Sequence, residues 1–333
     1  MENKIILGNI SLKVSNLLSL TISMIIMQLV NDIHLGTLIV LGSLFFYYYI
    51  PQENHQGFKN VLIAGIAGMI AFLIMNISNV FPWVTALILG TICCFFFFYN
   101  KYWNLTGPGP FFLVMISCIS GVHKYINAYT TTESIFYLSI GVIISIVLAA
   151  INEFIFDHFQ IMKKPSNSNK IRFKVDKVSS DIIIKSFVYG FAVFLSYYIG
   201  QNLGILNYYW VVIACSSILQ AKSMSHAFKR HQNYVLGTIV GCVISYAILS
   251  INFSPIIISI LLIIFNSLIY WKINTNFLVG NFFTTPMAIL ISKLSNPMLN
   301  NEAIPERFAA ILIGTTIGIV SVYVLNYLQK KCI

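Results

Sequence analysis

Charge is scarce in this sequence. Only 9% of its 333 residues are Asp, Glu, Lys or Arg, whereas an ordinary soluble domain carries about 25%. Its 20 basic and 10 acidic side chains cannot cover a water-exposed surface of this size, which excludes a soluble enzyme and a disordered chain alike. Acidic residues are scarcest where they would count most: no Asp or Glu sits mid-way along a long apolar run, where an antiporter would carry one. There is no phosphate loop ending in Gly-Lys-Ser/Thr, no Gly-x-Ser-x-Gly elbow and no His-Glu-x-x-His. ATP-driven transport by this chain alone and the common hydrolase chemistries therefore drop out; no enzyme activity and no cofactor are expected. The cysteines (Cys93, Cys94, Cys118, Cys215, Cys242, Cys332) show neither disulfide nor metal-ligand spacing. Five lie inside apolar runs and read as small packing residues. His226 and His231 do not share a helical face, so no metal site is expected.

What the sequence has is apolar length. Hydrophobic residues make up 58% of it, and the mean hydropathy is +0.82. A bilayer core about 30 Å thick asks for roughly 17–25 apolar residues per helix. About twelve such stretches lie near 14–31, 34–50, 60–78, 82–99, 108–122, 134–155, 182–200, 207–220, 234–251, 255–271, 276–292 and 306–328. The second and eighth are short. The first lacks a small-residue cleavage site after it and reads as a retained helix. The expected fold is an all-α integral membrane protein of about 12 transmembrane helices, arranged as two parallel six-helix repeats. Residues 1–159 and 181–333 form the repeats, and 160–180 form a basic cytoplasmic linker.

The net charge of +10 is a topology signal rather than a nucleic-acid footprint. With both termini cytoplasmic, 17 Lys and Arg fall inside and only Lys124, Lys293 and Arg307 outside. Even parity and a multi-pass plasma-membrane location follow. Aromatic groups such as Tyr47–Tyr49, Tyr102–Trp103, Tyr208–Trp210 and Tyr270–Trp271 fall near span ends. The halves are weak copies at an offset of about 171–173 residues: Gly65 and Gly68 match Gly237 and Gly241, and Gly109-Pro110-Phe111-Phe112 matches Gly280-Asn281-Phe282-Phe283. Parallel repeats commonly place a substrate path at their interface.

Several segments are candidates for that path. Gly237/Gly241 and Gly314/Gly318 are small-xxx-small faces, best read as helix packing. The polar loop Ala221–Asn233 carries Lys229 and Arg230; it is either a topology anchor for anionic lipid or a cytoplasmic vestibule for organic anions. Gly107-Pro108-Gly109-Pro110 precedes the fifth span, and Thr284-Thr285-Pro286 interrupts the eleventh. Proline frees a carbonyl that must face protein or a wet cavity, so Asn281, Thr284 and Thr285 line either a path or a satisfied kink. Glu153 and Asp157 share a face near the end of the sixth span and read as a local ion-pair cluster.

Taken together, Tyr209-Trp210-Val211-Val212, Ile218-Leu219-Gln220, Ala227-Phe228-Lys229-Arg230 and Leu236-Gly237-Thr238-Ile239-Val240-Gly241 resemble the fusaric acid resistance, or aromatic acid exporter, family. The pair Thr285-Pro286 and the stretch from Arg307 to Gly314 are similar to the later part of its pattern. Where the family carries a second basic residue this chain has Tyr234; where an acidic residue follows the late arginine it has Ala310. The family is distantly similar to plant aluminium-activated malate transporters, in which two six-helix units pair. The resemblance implies export of small organic anions, aromatic carboxylates among them, driven by membrane potential or an ion gradient. Lys229 and Arg230 would recruit the anion, Trp210 and Gln220 would flank the path, a broken span around Asn281, Thr284, Thr285 and Pro286 would form the passage, and Arg307 would serve exit. The alternative is a non-transporting scaffold or lipid-interacting protein whose linker docks a partner. The expected partners are the lipid bilayer and the anion, with no nucleic acid and homo-oligomers left open.

Overall fold

The computed structural model describes residues 2–30, 32–51, 55–78, 82–102, 108–126, 130–158, 180–221, 223–251, 253–273, 275–296, 299 and 301–332. Every regular element among them is helical. The first six are α1 (Glu2–Leu29), α2 (Ile33–Ser43), α3 (Gln56–Ser78), α4 (Pro82–Tyr102), α5 (Phe111–Ile126) and α6 (Thr131–His158). The second six are α7 (Ser180–Asn202), α8 (Tyr209–Leu219), α9 (Met224–Leu249), α10 (Pro255–Lys272), α11 (Phe277–Ser295) and α12 (Ala303–Cys332). A 3-10 turn, Leu44–Tyr48, continues α2. Among the described residues, nine helices are long and apolar enough to cross a membrane. The basic stretch 160–180, apart from Ser180, lies outside the described residues, as do Lys222, Trp103 and Gly107.

Helix starts follow local chemistry. Asp32 caps α2 by accepting from the His34 amide (2.9 Å), Asn276 caps α11 through the Val279 amide (3.3 Å), and Pro255 opens α10 where its missing N–H costs nothing. The segment Ala221–Asn233, expected as a loop, is helical from Met224 onward: Ser223 takes the cap position and accepts from the His226 amide. Its polar residues extend α9 beyond the apolar stretch, a length that hydropathy alone does not register.

Two short helices shape the interior. α2 and α8 have 11 residues each, about 17 Å at 1.5 Å per residue, roughly half a bilayer core. Neither meets lipid: Leu35–Ser43 are all buried, and so is nearly all of Trp210–Ile218. Outward-facing positions on the long helices are apolar, with Ile70, Phe95, Phe154, Phe187 and Val243 exposed. Buried hydroxyls bond the carbonyl one turn back, as Ser117 does to Leu113 (2.7 Å) and Ser245 to Gly241 (2.7 Å).

Packing recurs along the chain. α2 lies on α6 as α8 lies on α12; α3 lies on α5 and α6 as α9 lies on α11 and α12; α1 meets α2 and α6 as α7 meets α8 and α12. α4 meets α5 as α10 meets α11. The two groups join through α4 on α7 and α10 on α1, and through α5 on α8 and α11 on α2. Where α4 crosses α7, Gly90 and Gly190 face each other, and a methyl added at Gly190 would lie 2.5 Å from the Gly90 carbonyl oxygen. The α1–α10 contact is polar instead. Gln28 donates to Ser259 (2.8 Å), Asn266 donates to Asn16 (3.3 Å) and accepts from Tyr47 (3.0 Å).

Candidate functional site

A cavity of about 1,300 Å³ opens between the two groups of helices. Its cause is the length mismatch between α8 and its partner. Gly314 and Gly318 of α12 rest on Val211 and Ile218, letting the two backbones run side by side. α8 then stops at Leu219, while α12 continues for about three more turns. Leu325, Asn326 and Gln329 therefore line the cavity beyond the end of α8.

The wide end of that space is polar. Asn100, Lys101, Asp181, Lys185 and Gln329 line it. Asp181 accepts from Lys185 (2.6 Å) and from Gln329, tying α7 to the end of α12. The Asp181–Lys185 spacing of four was readable in the sequence; their meeting with Gln329 was not. Deeper in, Gln220 donates to the Pro108 carbonyl (3.4 Å), closing one wall. Arg230 turns inward and lays its guanidinium over the Phe277 ring at 4.5 Å, with Tyr234 beside it on the wall. Its Nε is buried and makes no hydrogen bond among the described residues.

α11 carries the wall onward. Asn281 and Thr284 face the cavity one turn apart. Asn281 donates to the Phe277 carbonyl (2.9 Å), and Thr284 donates to the Asn281 carbonyl (3.1 Å). At the far end Tyr209 and Ser292 share a hydroxyl–hydroxyl bond (3.1 Å).

Arg307 lies at that far end and is only 3% exposed. Its guanidinium stands over the Trp210 ring at 5.1 Å, and its Nε and Nη1 are buried without a hydrogen-bond partner among the described residues. Neither Arg307 nor Arg230 joins any ion pair among the described residues. The reason is legible in α12: the residue one turn after Arg307 is Ala310, fully buried in the Trp210 cluster, so no carboxylate reaches back. Taking a guanidinium out of water costs several kcal/mol, and a ring face returns about 0.5–2. The balance leaves a strong local field for a negative charge.

Of the expected path residues, Trp210, Gln220, Arg230, Asn281, Thr284 and Arg307 line this one cavity. Three stand elsewhere. Lys229 is exposed on the outer side of α9. Thr285 is buried and turned, with Pro286, onto α9 at Gly241, as Asn281 is at Gly237. α11 is not broken at Pro286: the helix runs unbroken from Phe277 to Ser295, because one missing amide leaves the flanking bonds in place. Arg307 lies near the start of α12 and is buried against Trp210. No curated protein and no solved structure matches this chain. Residues 191–321, which run from α7 into α12 and include each of the nine expected path residues, are similar to the fusaric acid resistance protein-like family.

Proposed function

We propose that this chain is a plasma-membrane transporter or channel that exports small organic anions, aromatic carboxylates among them. It would do so with twelve spans in two parallel six-helix repeats and both termini in the cytoplasm. The recurring pairs of packed helices support the repeats, and the inside excess of Lys and Arg supports the orientation. The observation that carries the function is Arg307, a buried guanidinium without a carboxylate partner among the described residues, on the wall of a large cavity.

Lys101, Lys185 and Arg230 would draw an anion into the wide cytoplasmic end. Asn281 and Thr284 give it polar contacts along α11, and Arg307 holds the carboxylate through its planar fork. An interior-negative potential then does the work: about 2.3 kcal/mol per charge at 100 mV, roughly a fifty-fold gradient. Both cavity arginines belong to the second half of the chain. Gly141 meets the Ile39 carbonyl as Gly314 meets that of Val211, and this register sets Ser134 opposite Arg307 and Leu38 opposite Trp210. The first repeat thus offers no matching cation.

The test is potential-driven benzoate efflux from proteoliposomes. Arg230→Gln is expected to slow it and Lys229→Gln to leave it unchanged. Equal flux in wild type and Arg230→Gln would remove the vestibule role.

A further inference from the structure

Both cavity arginines are held in the same way, each with one guanidinium face against an aromatic ring and at least one buried nitrogen without a hydrogen bond among the described residues. Their rings stand on different helices, Phe277 at the start of α11 and Trp210 near the start of α8. Phe277, under Arg230, begins α11; Ile289, twelve residues later, packs in the cluster that holds Trp210. Twelve residues of α-helix span about 18 Å. Each arginine has its own polar neighbours on the cavity wall: Tyr234 and Asn281 for Arg230, Tyr209 for Arg307.

We propose that the cavity holds two anions at once, one on Arg230 and Phe277 and one on Arg307 and Trp210. This rests on the anion-transport reading and adds the number and place of the binding sites. Two like charges in one cavity repel, so each anion weakens the other's binding. An anion arriving at Arg230 therefore loosens the one at Arg307, and occupancy of both sites speeds release from a site that would otherwise hold its ligand too well.

Equilibrium binding of radiolabelled benzoate to the purified full-length chain in nanodiscs tests this. Two benzoates per chain are expected, the second binding more weakly. Arg307→Gln and Arg230→Gln should each leave one, and the double variant none. Trp210 fluorescence gives a local readout: it should respond to benzoate in Arg230→Gln but not in Arg307→Gln, with Trp210→Phe identifying the signal. Arg307→Lys, which keeps the charge, should retain both sites and controls for folding. One benzoate per chain in the wild type, or loss of all binding in either single variant, overturns the two-site proposal while leaving anion transport standing. No binding in the wild type overturns both.

Discussion

Replacing Arg307 with Met should make the protein more stable and less able to move anions. Met is about as long as Arg, is flexible enough to fill the space beside Trp210, Ile289 and Ala310, and brings no charge to desolvate. Exchanging a buried charge for an apolar side chain of similar volume stabilises by about 1–4 kcal/mol in favourable cases. The contact over Trp210 at 5.1 Å is lost, which costs about 0.5–2 kcal/mol, so the net change should favour folding by up to a few kcal/mol. Transport should move the other way. Charge-assisted hydrogen bonds are worth about 1.5–3 kcal/mol each, so losing one or two raises the half-saturating benzoate concentration by at least about tenfold. Thermal unfolding in detergent and benzoate efflux from vesicles, on the same preparations, read the two effects. A variant that melts earlier than wild type, or one that transports normally, would refute the reasoning: the first by showing that Arg307 is a structural pair, the second by showing that it is no binding group.

Other outcomes follow from the packing. Gly190→Val should destabilise by more than the about 1–3 kcal/mol of ordinary overpacking, because its side chain meets the Gly90 backbone; loss of monodisperse protein on size exclusion would report it. Asn266→Leu removes bonds to Asn16 and Tyr47 and should cost about 1–3 kcal/mol in thermal unfolding. Pro286→Ala restores a backbone amide within α11 and should raise stability while leaving efflux intact, whereas a hinge at Pro286 would make the variant inactive. Raising ionic strength from 0.01 to 0.15 M shortens the screening length from about 30 to 8 Å. Initial efflux rates should therefore fall, and fall less in Lys185→Gln, which has lost part of the attracting field.

Most helix positions were legible because a lipid-facing helix must be apolar along its length. Gln56–Ser78 and Pro255–Lys272 lie within a few residues of the stretches expected from hydropathy. Polar continuations were not legible by the same rule. α1 reaches back to Glu2 and α9 to Met224, through polar turns that an apolar-length rule does not register. Pro286 suggested a broken helix because the sequence shows the missing amide but not the α9 backbone packed against it at Gly241. The arginines show the limit most clearly. Their identity was visible, and so was Ala310 in place of an acidic residue. Their direction was not: Lys229 and Arg230 are neighbours, yet one faces out and the other lies on Phe277. Arg307 was expected on the path near the start of its helix, but the sequence did not show Trp210 beneath it.

The most direct test is an experimental structure of the protein with 4-bromobenzoate, whose bromine can be located by anomalous scattering. Density inside the cavity, with the carboxylate against the Arg307 guanidinium beside Trp210, is the predicted result. An occupied lipid-facing surface with nothing bound at Arg307, under conditions in which the anion is transported, would contradict it.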